Sequence, residues 1–374
     1  MQRILLLLLP ILVSVSPVAG DSLPGYVETN LVSNIPGLAG NTDANLVNPW
    51  GISSTPTSPF WVSDNGTGLT TLYNSVGTPQ SLVVTIPNGA PTGQVFNSTA
   101  AFNGDLFLFS SESGVITGWR GALGTTAERL FDQSATGAVY KGLALGTTAQ
   151  GSYLYAADFH NSAIDVFPSS GAPGLTGKFL DPNLPAGYAP FNVQNIGGQI
   201  YVTYAKQDAT GHDDVPGPGN GFVNVFDLNG NLLKRLASNG PLNSPWGLAL
   251  APAGWGGFSG DLLVGNFGDG TINAYALDGT LAGMITDAAG NPLTNDGLWA
   301  LKFGNGGNGG LANSLYLTAG LNDEADGLFA RIDPVPEPRS LLLAVGGMVI
   351  LAALTRRRFR ATGFSENPLR SERV

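Results

Sequence analysis

Residues 49–51 and 245–247 both read Pro-Trp-Gly, a rare bulky side chain between two chain-breakers, and the phrase after each returns through the body of the chain. A repeat constrains the architecture before any single motif does, because each unit is one supersecondary element stacked on copies of itself. Six copies open on "PWGISST", "VFNSTAA", "KGLALGT", "PFNVQNI", "PWGLALA" and "LWALKFG". In this register Trp50, Phe96, Lys141, Phe191, Trp246 and Trp299 are equivalent, at spacings of 46, 45, 50, 55 and 53 residues.

Each opening is followed by an alternating segment ("FWVSDN", "DLFLFSSE", "YLYAADFH", "QIYVTYAK", "DLLVGNFG", "SLYLTAGL"), a Gly/Asn/Asp turn and a third segment ending near an aromatic. Period-2 alternation with β-branched and aromatic residues is the pattern of half-buried strands, and the turns supply positive-φ positions for hairpins. A fourth strand is expected in five repeats, at "SLVVTI", "AERLFD", "LTGKFLD", "NLLKRLA" and "TLAGMIT", while the sixth ends without one. "YVETNLVS", residues 26–33, stands ahead of the first repeat with no hairpin partner and is expected to fill that place. The fold class is therefore all-β: a six-bladed β-propeller closed by an N-terminal strand in the last blade.

With 53 glycines, 25 prolines and 12% charged residues among 374, the chain is rich in turns. The absence of cysteine excludes disulfides and thiolate chemistry. Residues 21–334, taken as the propeller domain, carry 9 Lys+Arg and 24 Asp+Glu, a net charge of 9 − 24 = −15. Such a body repels phosphate backbones, so nucleic acid is not an expected partner.

Apolar helical segments are expected at both termini. Residues 1–20 have an early Arg3, an apolar run and small residues at Ala19 and Gly20, the form of a secretory signal peptide. Residues 340–354 are an uncharged run, read as a transmembrane segment, followed by Arg356, Arg357 and Arg358; the arginines would hold residues 361–374 as a cytoplasmic tail. Just before the run come Pro336, Glu337 and Pro338. This succession over residues 335–360 resembles the PEP-CTERM sorting signal of Gram-negative bacteria. The resemblance implies an exosortase as processing partner, and a protein exported, held in the inner membrane by its C-terminus, then passed to the cell surface or beyond it.

The body itself resembles NHL-type and gluconolactonase-like propellers in its "PxGLAL…LYVADF" cadence. More closely it resembles an uncharacterised family of PEP-CTERM-tagged bacterial propellers, in "LVSNIPGLA", "HDDVPGPGNGFVNVFDLNGNLLKR" and "LNDEADGLFARID". That likeness implies the fold and names no activity.

Six-bladed lactonases place carboxylates around a channel metal, yet the six opening segments hold no Asp or Glu. His160 and His212, the sole histidines, fit no triad or zinc spacing. The reading that follows is a binding or scaffold protein of the surface or matrix, partnered by extracellular polysaccharide or surface proteins, with no catalytic residue assigned. The alternative is a metal-dependent lactonase or phosphotriesterase-like hydrolase at the channel mouth. Trp50, Trp246, Trp299, Asn97 and Asn192 are the candidate ligand contacts there, although core packing is the commoner use of such tryptophans. The acidic turns, which include Asp64, Asp158, Asp269, Asp323, Glu324 and Asp326, are expected to gather on one face. Within "QDATGHDDVPGPGN", residues 207–220, Asp208, Asp213 and Asp214 are a candidate calcium site, since oxygen-rich loops with turn glycines suit that ion.

Overall fold

The computed structural model describes residues 25–335. Its opening strands are β1 (Tyr26–Ser33) and β2 (Asn41–Thr42). Blade 1 follows as β3 (Pro49–Ser53), β4 (Phe60–Asp64), β5 (Leu69–Tyr73) and β6 (Val84–Thr85), and blade 2 as β7 (Pro91–Phe96), β8 (Phe107–Ser111), β9 (Val115–Trp119) and β10 (Glu128–Asp132). Blade 3 holds β11 (Tyr140–Thr148), β12 (Gly151–Asp158) and β13 (Ala163–Pro168); blade 4 holds β14 (Tyr188–Ile196), β15 (Gln199–Lys206), β16 (Phe222–Phe226) and β17 (Leu232–Ser238). Blade 5 is β18 (Pro245–Leu250), β19 (Leu262–Asn266), β20 (Ile272–Tyr275) and β21 (Leu281–Met284), and blade 6 is β22 (Leu298–Phe303), β23 (Leu315–Leu321) and β24 (Asp326–Pro334). Each blade is an antiparallel meander, and the ring of β3, β7, β11, β14, β18 and β22 surrounds the axis.

β1 completes blade 6, pairing antiparallel with β24 from Tyr26↔Pro334 to Ser33↔Leu328, and β2 lies parallel to it outside. The N-terminal strand expected from the sequence thus closes the ring and covers an edge that would otherwise invite association. Period-2 alternation turns successive residues toward different neighbours. Phe60 and Val62 of β4 face blade 6, while Trp61 between them packs against Phe107 of blade 2. Separate buried clusters accordingly fill the gaps between blades 1 and 2, 2 and 3, 3 and 4, 4 and 5, and 5 and 6; the gap between 6 and 1 shares its cluster with the axis.

Two expectations need correction. "LTGKFLD" is no strand: Gly177 and Phe179 donate their N–H groups to Asn229 O and Gly230 O of blade 4, at 2.9 and 3.0 Å. Phe179 takes a positive φ of 52° and sits 5.3 Å, ring to ring, from both Tyr155 and Phe226, so filling the gap between blades 3 and 4 displaces sheet pairing there. In blade 2 the ring position belongs to Thr92 and not to Phe96. Pro91 pairs with Ser111 as Pro49 pairs with Asp64, whereas Phe96 lies at the other end of β7 opposite Phe107. A proline before the ring residue, a glycine after it, or both mark the position in five of the six blades, and the aromatic is dispensable.

Why glycine follows that position is a matter of approach distance. A Cβ on Gly51 would lie 2.6 Å from Thr92 O, and one on Gly247 2.6 Å from Trp299 O, so only glycine lets these inner strands meet at the axis. The pairing of every inner strand also slips by a bulge at this level, which re-aims the ring side chain. The terminal helical segments, residues 1–20 and 340–354, and the sorting residues Pro336, Glu337, Pro338, Arg356, Arg357 and Arg358 lie outside the described residues. Among those described, the helices are 3-10 turns of three residues each, and none is long and apolar enough to cross a membrane.

Ring closure yields a first prediction. Deleting residues 25–33 withdraws the buried Tyr26, Leu31 and Val32 and bares β24, a loss of more than about 5 kcal/mol at ~1.5–3 kcal/mol per buried side chain. Denaturant unfolding should show that drop together with aggregation; an unchanged midpoint would mean the ring closes by other contacts.

Candidate functional site

The channel is divided in two by its own aromatic ring. Trp50 stacks on Trp299 with centroids 3.4 Å apart, and Trp246 meets both edgewise at 6.1 and 5.8 Å. Phe267 stacks on Trp299 at 4.1 Å, and Phe191 closes the group. With exposures of 2%, 4% and 1%, Trp50, Trp246 and Trp299 form a plug whose faces are already taken by one another. Their burial commits these three tryptophans to core packing.

On the loop side of the plug lies a polar network drawn from several blades. Lys141, the lone cation among the ring residues, is 2% exposed and holds its Nζ 5.2 Å from the Trp50 ring centre. It reaches Glu112 at 2.5 Å and Asp213 at 3.5 Å. Glu112 also accepts from Asn65 Nδ2 at 2.9 Å; Asn48 donates to Glu324 at 2.5 Å and accepts from Trp299 Nε1 at 2.9 Å. Trp246 Nε1 donates to the Lys141 carbonyl at 3.1 Å. The backbone is strained around this network: Asn48 and Ser244 have positive φ, and Asn322, Asp323 and Glu324 do so in succession. Non-glycine residues held this way cost of order 1–3 kcal/mol each and cluster at functional sites. Burial pushes the carboxyls of Glu324 and Asp214 above the usual range, against the opposing pull of Lys141.

The loop carboxylates do not converge on one ion. Asp208 is spent on its own turn, accepting from Thr210 and the His212 N–H. Asp213 faces His212 Nδ1 at 2.8 Å and Lys141, and Asp214 is half-buried. Among the described residues the ligand atoms that gather within 4.8 Å belong to Glu112, His212 and Asp213, with the Lys141 ammonium already among them. The acidic turns also serve structure: Asp158 caps Val139 N–H and Asn161 N–H, and Asp269 braces Asn243 and Thr271. Glu112, Asn48 and Asn65 were not singled out by the sequence. A lysine at a ring position otherwise apolar was the available signal, since a buried ammonium demands a carboxylate.

On the other side of the plug the channel widens into a cavity of about 510 Å³, walled by the later residues of the inner strands and bounded by Trp246. Thr147 and Ser98 stand exposed at its rim. Asn192 lines it, donating Nδ2 to Trp246 O at 2.7 Å, and Asn195 donates to Leu145 O at 2.8 Å. Asn97 does not share its ring level. It lies beyond β7 with Nδ2 donated to Ala101 O and Asp105 O, a turn staple. Among the described residues no Asp or Glu is in the cavity wall.

Fold and channel together define a six-bladed β-propeller. The chain aligns with a streptogramin B lyase structure at TM-score 0.50 and 11% identity, over 83% of this chain and 98% of that one. It aligns likewise with a protein of unknown function from Bacteroides thetaiotaomicron, at TM-score 0.50 and 13% identity over 83% and 76%. At such identities the likeness is one of fold. No protein-family model matches the chain. Two proteins of Acanthamoeba polyphaga mimivirus are much nearer in sequence. "Uncharacterized protein R648" is 34% identical over 330 residues, 81% of this chain and 78% of that protein, and "Uncharacterized protein L690" is 33% identical over 326 residues, 80% and 83%. The chain belongs to the family that these two proteins represent.

The buried carboxyls give a pH prediction. Asp64 is wholly buried at the end of β4, and burial, with Asp43 adding to it and Thr71 opposing it, raises its pKa well above the usual range. A carboxyl raised by folding contributes stability that is full below its unfolded pKa, about 4, and is lost as pH rises through the folded value. Asp64→Asn should therefore raise Tm at pH 8 by about 2 °C or more while leaving it near the parent at pH 4. Equal shifts at both pH values would show that Asp64 is not the titrating group.

Proposed function

We propose that this protein is an exported binding propeller of the cell surface or extracellular matrix, whose small polar ligand enters the blind cavity on the open side of the tryptophan plug. The observation that carries this is the cavity itself. Its ~510 Å³ falls in the range of small-molecule sites, and apolar residues alternate there with amides and hydroxyls. A wall without Asp or Glu supports binding over metal-dependent hydrolysis there, because a hard cation has no carboxylate to hold it. The set formed by Glu112, His212 and Asp213 is on the far side of the plug, where Lys141 competes with any metal.

Export and tethering rest on the chain ends: the apolar residues 1–20, and the Pro-Glu-Pro, apolar run and arginines after residue 335. An exosortase would act on that C-terminal segment and free the propeller from the membrane. Mono- and oligosaccharides of extracellular polysaccharide are the ligands such a location offers.

The test is a thermal-shift screen of the intact chain against such sugars, repeated with Thr147→Trp, which obstructs the rim from an exposed position and so spares the core. A ligand at 100 times its Kd stabilises by about 2.7 kcal/mol. The parent should gain Tm with at least one sugar and the obstructed variant should not. Equal gains in both, or none in the parent, would place binding elsewhere.

A further inference from the structure

We infer that the cavity selects a hydroxylated small molecule carrying a single carboxylate, the sugar-acid class, with Lys302 as the partner of its carboxylate and Gln194 as the hydrogen-bond partner of one of its hydroxyls. This rests on the channel being the binding site and goes further by naming the ligand's chemistry.

The first observation is an unpaired cation. Among the described residues Lys302 is the one Lys, Arg or His in the cavity wall, and no Asp or Glu there answers it. Among the described residues it makes no salt bridge and no side-chain hydrogen bond. The arginines Arg120, Arg129, Arg235 and Arg331 are all paired with Asp or Glu, and buried Lys141 has Glu112. Lys178 and Lys206 are exposed to solvent, and half-buried Lys234, which has no carboxylate either, donates to the Leu277 carbonyl. In a body of net charge 9 − 24 = −15 over residues 21–334, carboxylates are abundant, so a half-buried lysine left without either a carboxylate or a carbonyl marks a place where the anion comes from outside.

A second and independent observation is an unspent amide. Gln194, three residues after ring residue Phe191 as Lys302 is three after Trp299, lines the same cavity, is half-buried and makes no side-chain hydrogen bond among the described residues, so it offers a donor and an acceptor at the level of Lys302. Gln94, by contrast, is committed to the protein: its Nε2 donates to the carbonyls of Gly51, at 2.8 Å, and Trp61. Leu143, Val193, Leu248 and Leu301 give the wall apolar surface for the C–H faces of a sugar ring.

Charge count separates a carboxylate from a phosphate. One ammonium balances one negative charge, and the wall has neither an arginine fork nor a helix N-terminus to meet a dianion. Burial also lowers the pKa of Lys302. Of the strands packed against β22, β3, β18 and β19 carry no ionisable side chain, and β23 presents Tyr316 opposite Lys302, itself held neutral by burial. A bound carboxylate would restore the lysine's proton affinity, so binding should take up protons at alkaline pH and weaken as pH rises through the pKa of the free site.

Calorimetry on the intact chain with glucuronate, galacturonate, gluconate and neutral glucose tests this. At least one of the acids should bind ten times or more tightly than glucose, with an enthalpy that depends on buffer ionisation above neutral pH. Lys302→Gln should reduce that acid to the level of glucose without lowering the unliganded Tm, and Lys302→Arg should keep part of the preference. If glucose binds as well as the acids and Thr147→Trp abolishes both, the ligand class is wrong and the channel stands. If an acid binds equally well to Lys302→Gln, the carboxylate is held elsewhere and the inference fails. Binding that survives Thr147→Trp, or no binding of any of the four compounds, overturns the channel reading as well.

Discussion

The antiparallel pairing of β1 with β24 is the constraint on which the remaining structure depends. A propeller is a closed set of neighbour contacts. Each blade buries one face against the blade before it and the other against the blade after, so no blade is complete until the last meets the first. Joining the two ends of the chain within one sheet makes that closure a matter of backbone hydrogen bonds, with Val32 and Phe329 buried beneath them. Because the ring cannot spread, the inner strands are held at the distance that Gly51 and Gly247 permit, and the tryptophans are forced onto one another at the axis.

From that crowding come two compartments of opposite character. The plug shields Lys141 and its carboxylates from the cavity, so the charges on the loop side are answered by one another through short contacts. Such a network is costly to assemble and gives specificity of arrangement more than stability, since desolvating buried ions offsets much of their attraction. The strained turns at Asn322 to Glu324 and at Asn48 belong to the same assembly: left-handed backbone aims Glu324 and Asn48 at each other across two blades. The cavity is the converse case, with polar groups placed on rigid strands and several of them left without protein partners.

How much of this was legible follows from what each feature depends on. Blade number, strand order and ring closure depend on periodicity and turn chemistry, which are local, and the repeat displayed them. The register of blade 2 did not survive, because an aromatic followed by Asn at Phe96 and Asn97 imitates the Phe191–Asn192 pair, while the true ring triplet, Pro91-Thr92-Gly93, has no aromatic to draw the eye. Blade 3 lost its fourth strand for a tertiary reason: the gap beside Tyr155 needed a ring, and Phe179 left the sheet to fill it. Glu112 stood in an ordinary hairpin turn, and only the fold brings it to Lys141, 29 residues further along the chain.

The two axial lysines show why function here is a question of partners more than of residue types. Both stand on inner strands, and neither belongs to a motif. Lys141 is enclosed, and a carboxylate, a second acid and an indole face surround it, so its charge is consumed in holding the loop face together. Lys302 lines a space open to solvent at the rim, and the surrounding wall supplies amides and aliphatic carbon but no acid. Had the cavity been a mere packing defect at the axis, its wall should resemble the inter-blade cores, which are apolar and carry no free charge. An isolated ammonium and a side-chain amide without a protein partner, Lys302 and Gln194, are a poor way to line a void. They are a suitable way to line a site whose remaining hydrogen bonds and countercharge arrive with the ligand.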